Sequence, residues 1–191
     1  MSENINHDIY LFISSKKLII SVSSEIDQKI YLEELNLDED FKNKPFEKLD
    51  FFLNKNVFKI EKEIKNFIKR ISVILDLDIF CPIEVSIKKD TNYEEIDTKT
   101  LSYLVYEAKD NCKKTLDKKK IVHMLITDYK IDNKSYSHLP NNIKGKNLSL
   151  DIKFITIDKG YVKIIEKILR KYQISLHKIL NLNYLRQFMS E

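Results

Sequence analysis

Two aspartates in the stretch LITDYKIDNKSYSHLPNNIKGK, residues 125–146, have a spacing that could serve acid–base chemistry. Asp128 and Asp132 are four residues apart, and residues at even separation share one face of an extended chain. Two carboxylates on one face could act as a proton donor and acceptor. The alternative is that Asp128 ends a strand and Asp132 begins a turn with Asn133, where Asx side chains bond their own backbone. We favour the turn.

The usual zinc ligands are not paired in this sequence. The histidines are His7, His123, His138 and His177, and the cysteines are Cys81 and Cys112. Zinc ligands normally come in close pairs or on one helix face, so we predict no metal site and interpret both thiols as small apolar fillers. Two glycines cannot build a phosphate-binding loop, and no nucleophile elbow is present. We therefore predict no catalytic residue and no cofactor.

The charge balance argues against a dedicated nucleic-acid binder. The 33 basic residues face 29 acidic ones, and only Arg70, Arg170 and Arg186 are arginine, the side chain best suited to phosphate and base recognition. We give no weight to lysine runs such as DKKK at 117–120. Strands with exposed lysine and tyrosine could still form a platform for single-stranded nucleic acid, but the ten tyrosines are scattered. Nucleic-acid binding stays a minor alternative.

The length and the N-terminal residues limit the number of domains and the localisation that we expect. A chain of 191 residues is usually one domain, or one domain with a subdomain. The opening residues, MSENINHDIY, lack the regions of a signal peptide, and no apolar run approaches the roughly 20 residues of a membrane span. We expect a soluble, cytoplasmic protein with reduced cysteines.

Hydrophobic periodicity predicts an alternation of strands and helices. The first 36 residues predict three strands, and residues 38–50, which contain Pro45, a loop. A helix is predicted over residues 54–77 from apolar residues three and four apart: Val57, Ile60, Ile64, Phe67, Ile71 and Ile74. Further strands are predicted at 82–89, 121–127, 148–157 and 174–182, with helices from the possible N-cap Thr98 and over 159–172. The fold class is mixed α and β.

The sequence resembles the bacterial cell-division protein FtsA from residue 121 to about 180. The matching signature is an apolar strand followed by an acidic residue, Tyr, any residue, Ile and Asp, here Asp128, Tyr129, Ile131 and Asp132. A turn with Pro140 and Gly145 follows, then a strand, a helix and a strand in the family's order.

The resemblance implies the first half of an actin-like ATPase. It implies a subdomain of residues 1–88 and 158–191, interrupted at 89–157 by an inserted strand–helix–strand–strand module called SHS2. Only about nine residues, KDTNYEEID, separate the predicted strand at 82–89 from the second helix, so the module's first strand is expected to be short or absent.

The sequence departs from the family at the first hairpin, where relatives resemble acidic-Ile-Gly-Thr. This chain has Phe12, Ile13, Ser14 and Ser15 there. A phenylalanine cannot bind magnesium, and a serine side chain crowds a phosphate that glycine would admit. The family's second large domain, which completes the nucleotide cleft, is not matched. We therefore expect a chain that is not an enzyme and binds no nucleotide.

What the resemblance leaves is an interaction protein. In FtsA the inserted module contacts a neighbouring subunit and later division proteins, so we expect a cell-division adaptor recruited to the inner face of the membrane. Its partners would be later components of the division machinery, a complex containing the tubulin-like protein FtsZ, or another copy of itself. The alternative is a pilus-assembly or secretion scaffold of the PilM type. The candidate contact residues are Asp128, Tyr129, Asp132, Lys134, Lys144 and Lys146.

Overall fold

The computed structural model describes residues 7–27, 29–39 and 44–189, and side chains as far as residue 187. It divides into two compact units. The first comprises Met1–Ile79 and Gly160–Glu191, and the second comprises Phe80–Lys159.

The described elements alternate strands and helices. The strands are β1 (His7–Ser14), β2 (Lys17–Ser24), β3 (Tyr31–Asn36), β4 (Arg70–Asp76), β5 (Phe80–Asp90), β6 (Lys119–Ile131), β7 (Lys134–Tyr136), β8 (Asn147–Asp158) and β9 (Ser175–Asn181). The helices are α1 (Pro45–Ile64), α2 (Thr98–Asn111), α3 (Lys159–Arg170) and α4 (Leu182–Met189). The mixed α and β class predicted from the sequence is confirmed, whereas β4, the short strand β7 and α4 were not predicted.

The first unit is built on a five-stranded sheet in the order β3-β2-β1-β4-β9. The first three strands form antiparallel pairs, and β1, β4 and β9 run parallel. Alternate residues of the central strand β1, namely Ile9, Leu11 and Ile13, are buried. This period of two places one apolar face of β1 in the core.

The predicted helix over 54–77 is wrong at both ends. Helix α1 begins at Pro45, inside the predicted loop, because proline at the first helical position loses no intrahelical hydrogen bond. It ends at Ile64, where Lys65 is left-handed (φ 52°) and donates its backbone N–H to the Glu61 carbonyl. Part of the predicted loop, residues 40–43, lies outside the described residues.

The C-terminal part of that predicted helix is strand β4. Ile71, Val73 and Leu75 are fully buried at a spacing of two, the period of a strand. Phe67, which the helical pattern placed on the apolar face, is 79% exposed. β4 pairs with β1 on one side and β9 on the other, so distant strands decide its conformation.

Asp50 of α1 bonds two residues in the turn that follows α3. The Lys171 ammonium lies 2.6 Å from an Asp50 carboxylate oxygen, and the Tyr172 hydroxyl donates to the Asp50 carbonyl at 2.8 Å. The hydrogen bond from Lys171 lowers the pKa of Asp50. Burial, followed by the hydrogen bond with Asp50, raises the pKa of Tyr172 to about 12.

The second unit is a four-stranded antiparallel sheet in the order β5-β8-β6-β7 with α2 on one face. The buried core between them includes Ile87, Leu104, Leu148 and Phe154. All eleven residues of β5 pair with β8. Residues 80–88, which we assigned to the first subdomain, therefore lie in this unit.

Helix α2 is capped one residue earlier than predicted. The Asp97 carboxylate, rather than the Thr98 hydroxyl, accepts the Thr100 backbone N–H at 2.8 Å. This hydrogen bond to the charged carboxylate lowers the pKa of Asp97. Among the helices within residues 7–27, 29–39 and 44–189, none combines the length and the apolar character needed to cross a bilayer.

Candidate functional site

The β1–β2 turn, where the resemblance implies a phosphate hairpin, is held by Ser14. The Ser14 hydroxyl accepts the backbone N–H groups of Lys16 at 3.2 Å and Lys17 at 3.0 Å, and donates to the Lys17 carbonyl. These amides are donors that a phosphate could otherwise use, and the buried serine side chain bonds them instead. Phe12 is half-buried two residues earlier.

Asp132 forms a turn with Asn133, as we favoured from the sequence. Both residues have positive φ, 47° and 69°, and they connect β6 to β7. The Asp132 carboxylate accepts the backbone N–H groups of Asn147 at 2.9 Å and Lys146 at 3.0 Å. These bonds lower the pKa of Asp132 and tie the hairpin to the start of β8, so Asp132 stabilises the loop.

Asp128 does not end a strand, because β6 continues to Ile131. Its carboxylate accepts the Ser135 hydroxyl at 3.1 Å and lies 3.6 Å from the Lys130 ammonium. Lys130 also lies 2.7 Å from Asp151, and that hydrogen bond raises the pKa of Lys130 and lowers the pKa of Asp151. Asp128 belongs to this ion-pair group, whereas Asp132 bonds backbone amides, so the two carboxylates have separate roles and do not form an acid–base pair.

The remaining predicted contact residues differ in accessibility. Tyr129 is half-buried against the core of the second unit. Lys134, Lys144 and Lys146 are exposed. The backbone of the two later lysines is fixed, because Lys144 forms an isolated antiparallel β-bridge with Glu95 and the Lys146 carbonyl accepts the Thr91 backbone N–H at 2.8 Å. Their side chains remain accessible for contact.

The histidines and cysteines do not converge on a shared site. Within the described part of the chain, no three side chains from His, Cys, Asp and Glu are placed to hold one metal ion. His138 forms a hydrogen bond with Ser137 at 3.0 Å, and burial lowers the pKa of His123. Cys81 is exposed and Cys112 is half-buried, both as free thiols.

An apolar groove lies between α2 and β6 in the second unit. Its volume is about 620 Å³, and its walls include Val105 and Tyr106 from α2 and Met124 and Ile126 from β6. Tyr106 is 71% exposed and Met124 is 45% exposed. Helix α2 packs mainly over β5 and β8, which leaves the β6 side of the same face open. We call this space the α2–β6 groove.

A lysine-rich segment follows the groove at one end. Residues 109–120, KDNCKKTLDKKK, contain six lysines and two aspartates, and their net charge of +4 equals that of the whole chain. Lys109 lines both the groove and an adjoining pocket of about 420 Å³ that also includes Lys113 and Lys159. We call residues 109–120 the basic segment.

Sequence reasoning missed both features. The groove residues of α2 share a helical spacing, but the sequence does not say which part of that face the sheet leaves uncovered. The lysines of the basic segment were discounted because lysine is abundant throughout the chain. Their position beside an apolar groove is what makes them a candidate binding surface.

A scan against protein-family models and a search of curated proteins each give no match. Solved structures do match. A chain of a PilM–PilN type IV pilus biogenesis complex is 10% identical, with a TM-score of 0.56, and the match covers 96% of this chain and 50% of that one. At this identity the likeness establishes the fold and no function.

Two further structures give weaker likenesses. The cytoplasmic domain of EpsL, an inner membrane component of the type II secretion system of Vibrio cholerae, is 13% identical, with a TM-score of 0.41, 92% of this chain and 56% of that chain covered. A Bacteroides thetaiotaomicron protein with an actin-like ATPase fold and unknown function is 16% identical, with a TM-score of 0.42 and coverage of 99% and 57%. This chain spans about half the length of these structures.

Proposed function

We propose that this chain is a non-catalytic scaffold of a pilus-biogenesis or secretion assembly that binds another protein through the α2–β6 groove. The groove is the observation that carries the proposal. Exposed apolar side chains that line a concave surface are typical of protein-binding sites, and Tyr106 and Met124 are exposed there. The fold shared with a chain of the PilM–PilN complex supports the choice of assembly.

The second unit corresponds, in this proposal, to the SHS2 module that the FtsA resemblance implies. Strand β5, helix α2 and strands β6 and β8 follow its strand–helix–strand–strand order. The short strand β7 is an addition between the last two strands. As part of the same proposal, we place the chain at the cytoplasmic face of the inner membrane.

The non-catalytic part of the proposal rests on the first hairpin. The Ser14 hydroxyl already accepts hydrogen bonds from the Lys16 and Lys17 backbone amides, and the Phe12 side chain has no atom that binds a metal ion. We expect isothermal calorimetry with ATP and magnesium to give no saturable heat at micromolar nucleotide. Saturable binding would contradict this part, and hydrolysis above a no-protein control would make the chain an enzyme.

The binding part is tested by photo-crosslinking in the native cell. A photoreactive phenylalanine analogue replaces Tyr106 in one variant and Tyr103 in the control. Tyr103 is a matched position because it is 56% exposed on the same helix but lies beside Lys89 of β5, 4.6 Å from its ammonium. We expect protein adducts from position 106 and few from position 103. Equal adducts, or none, from the two positions would refute the groove as a binding site.

The cell-division adaptor predicted from the FtsA resemblance is the second candidate. What supports it is the resemblance of the signature at Asp128, Tyr129, Ile131 and Asp132 to FtsA, whereas the structural likeness favours the pilus-type scaffold. The identity of the protein crosslinked to position 106 separates the two. A pilus or secretion component supports the first candidate, and a division protein supports the second.

A further inference from the structure

The outer edge of β6 is open for most of its length. The strand runs from Lys119 to Ile131, and on its inner edge every residue except Val122 and Thr127 pairs with β8. On the outer edge, β7 pairs only with residues 129–131, and no other strand within the described residues joins it. Between Lys120 and Asp128, no strand in the described part of the chain pairs with this edge, which leaves a place for a strand of another chain.

The open edge borders the α2–β6 groove. A strand added to this edge would direct alternate side chains to the face that carries α2, where Val105, Tyr106 and Met124 lie. Two irregularities, at Val122 and Thr127, interrupt the pairing of β6 with β8 and leave a regular stretch at 123–126. Because bulges bend a strand, pairing would centre on this stretch.

The positive charge of the basic segment indicates which kind of partner the β6 edge would bind. The basic segment ends with the first two residues of β6, Lys119 and Lys120, and its net charge of +4 favours acidic groups on the partner. A second copy of this chain, paired antiparallel through β6, would place the Asp128 end of its edge there. That carboxylate is already bonded to Ser135 and paired with Lys130, so an acidic segment of another protein is the better complement.

We propose that the open edge of β6 binds an extended segment of a partner protein by strand addition. The segment runs antiparallel to β6, as the neighbouring strands of this sheet do. Its alternate side chains are apolar and enter the groove, and its carboxyl end is acidic and lies against the basic segment. This inference rests on the proposed function, for which it specifies the partner's chemistry and its mode of binding.

The test uses synthetic peptides and the full chain. The probe is a fluorescein-labelled peptide of roughly ten residues, in which alternating valine and threonine are followed by glutamates at the carboxyl end. A twin of the same composition carries the glutamates at its amino end. Fluorescence anisotropy should show saturable binding of the first peptide and about tenfold weaker binding of the twin. Absence of saturable binding, or equal binding of both, would overturn the proposal.

N-methylation distinguishes strand addition from simple occupation of the groove. In an added strand, every second amide faces β6 and its neighbours face away. Methylating one alternate set of amides should therefore weaken binding at least about tenfold, while methylating the other set should leave it nearly unchanged. Equal effects of the two sets would overturn strand addition and leave the groove itself as the site.

Matched variants locate the peptide on the chain. Tyr106→Ala should weaken binding several-fold while Tyr103→Ala should not, and the double reversal Lys118→Glu with Lys120→Glu should weaken it by about tenfold. A double reversal on the 134–146 loop, Lys134→Glu with Lys144→Glu, is the charge control. Circular dichroism confirms that each variant is folded. The peptide can show no binding while position 106 still gives protein adducts in the cell. Failure of this inference is therefore distinguishable from failure of the proposed function.

Discussion

Substitution of Gly145 by alanine tests how tightly the 125–146 stretch is clamped to the second unit. A Cβ atom added to Gly145 would overlap Cγ2 of Ile131, closer than the 3.0 Å that real Cβ atoms respect, and would lie 3.1 Å from the Asp132 carboxylate. Ile131 is 3% exposed within the core. Its branched side chain therefore has little room to move away.

The expected cost follows from overpacking a filled site. Inserting one methyl group into a packed core typically costs about 1–3 kcal/mol, and we expect Gly145→Ala to lower the free energy of unfolding by that amount. Urea unfolding followed by circular dichroism measures it. The chain's other glycine is the control: Gly160 is the second residue of helix α3, and Gly160→Ala should change the free energy of unfolding by less than about 1 kcal/mol.

A double-mutant cycle isolates the clash. Ile131→Ala alone should cost about 2–5 kcal/mol as a large-to-small core substitution, but it also removes the atom that the new methyl group meets. We expect Gly145→Ala to be neutral or stabilising in the Ile131→Ala background, which gives a coupling of at least about 1 kcal/mol. Additive effects of the two substitutions would refute the packing that we infer around Gly145.

Two further predictions concern titration and helix capping. The Tyr172 pKa of about 12 exceeds the ordinary value of 10.0, so the stability that Tyr172 contributes is complete below pH 10.0 and is lost as the pH rises towards 12. In urea unfolding, Tyr172→Phe should therefore lose less stability across this range than the parent chain. An equal loss in both would contradict the raised pKa of Tyr172. Asp97→Ala removes the cap of α2 and should speed hydrogen exchange of the Thr100 amide, as measured by NMR. The control Asp110→Ala, near the C-terminal end of α2, should leave this exchange unchanged. Unchanged exchange in Asp97→Ala would show that the cap is dispensable.

Local sequence patterns predicted most of the strands and the turn that matters most. The alternation of Leu148, Leu150, Ile152 and Phe154 predicted β8, and all four side chains are buried. The preference of Asp and Asn for turns predicted the turn at Asp132 and Asn133. It did not predict that the Asp132 carboxylate bonds the Lys146 and Asn147 amides, because these lie 14 and 15 residues further along the chain. The location of an apolar groove and its charged neighbours was beyond the reach of such patterns.

The sequence by itself determined the mixed α and β class, the apolar face of strands such as β1 and β8, and a first hairpin that carries Ser14. Tertiary structure decided the rest: residues 70–76 form a strand because β1 and β9 hydrogen-bond to both sides of it, although their spacing also fits a helix. It also left the edge of β6 open beside uncovered α2 residues and a run of lysines. Hydrophobic periodicity records which side chains are apolar, whereas the partner that covers them depends on contacts between residues far apart in the chain.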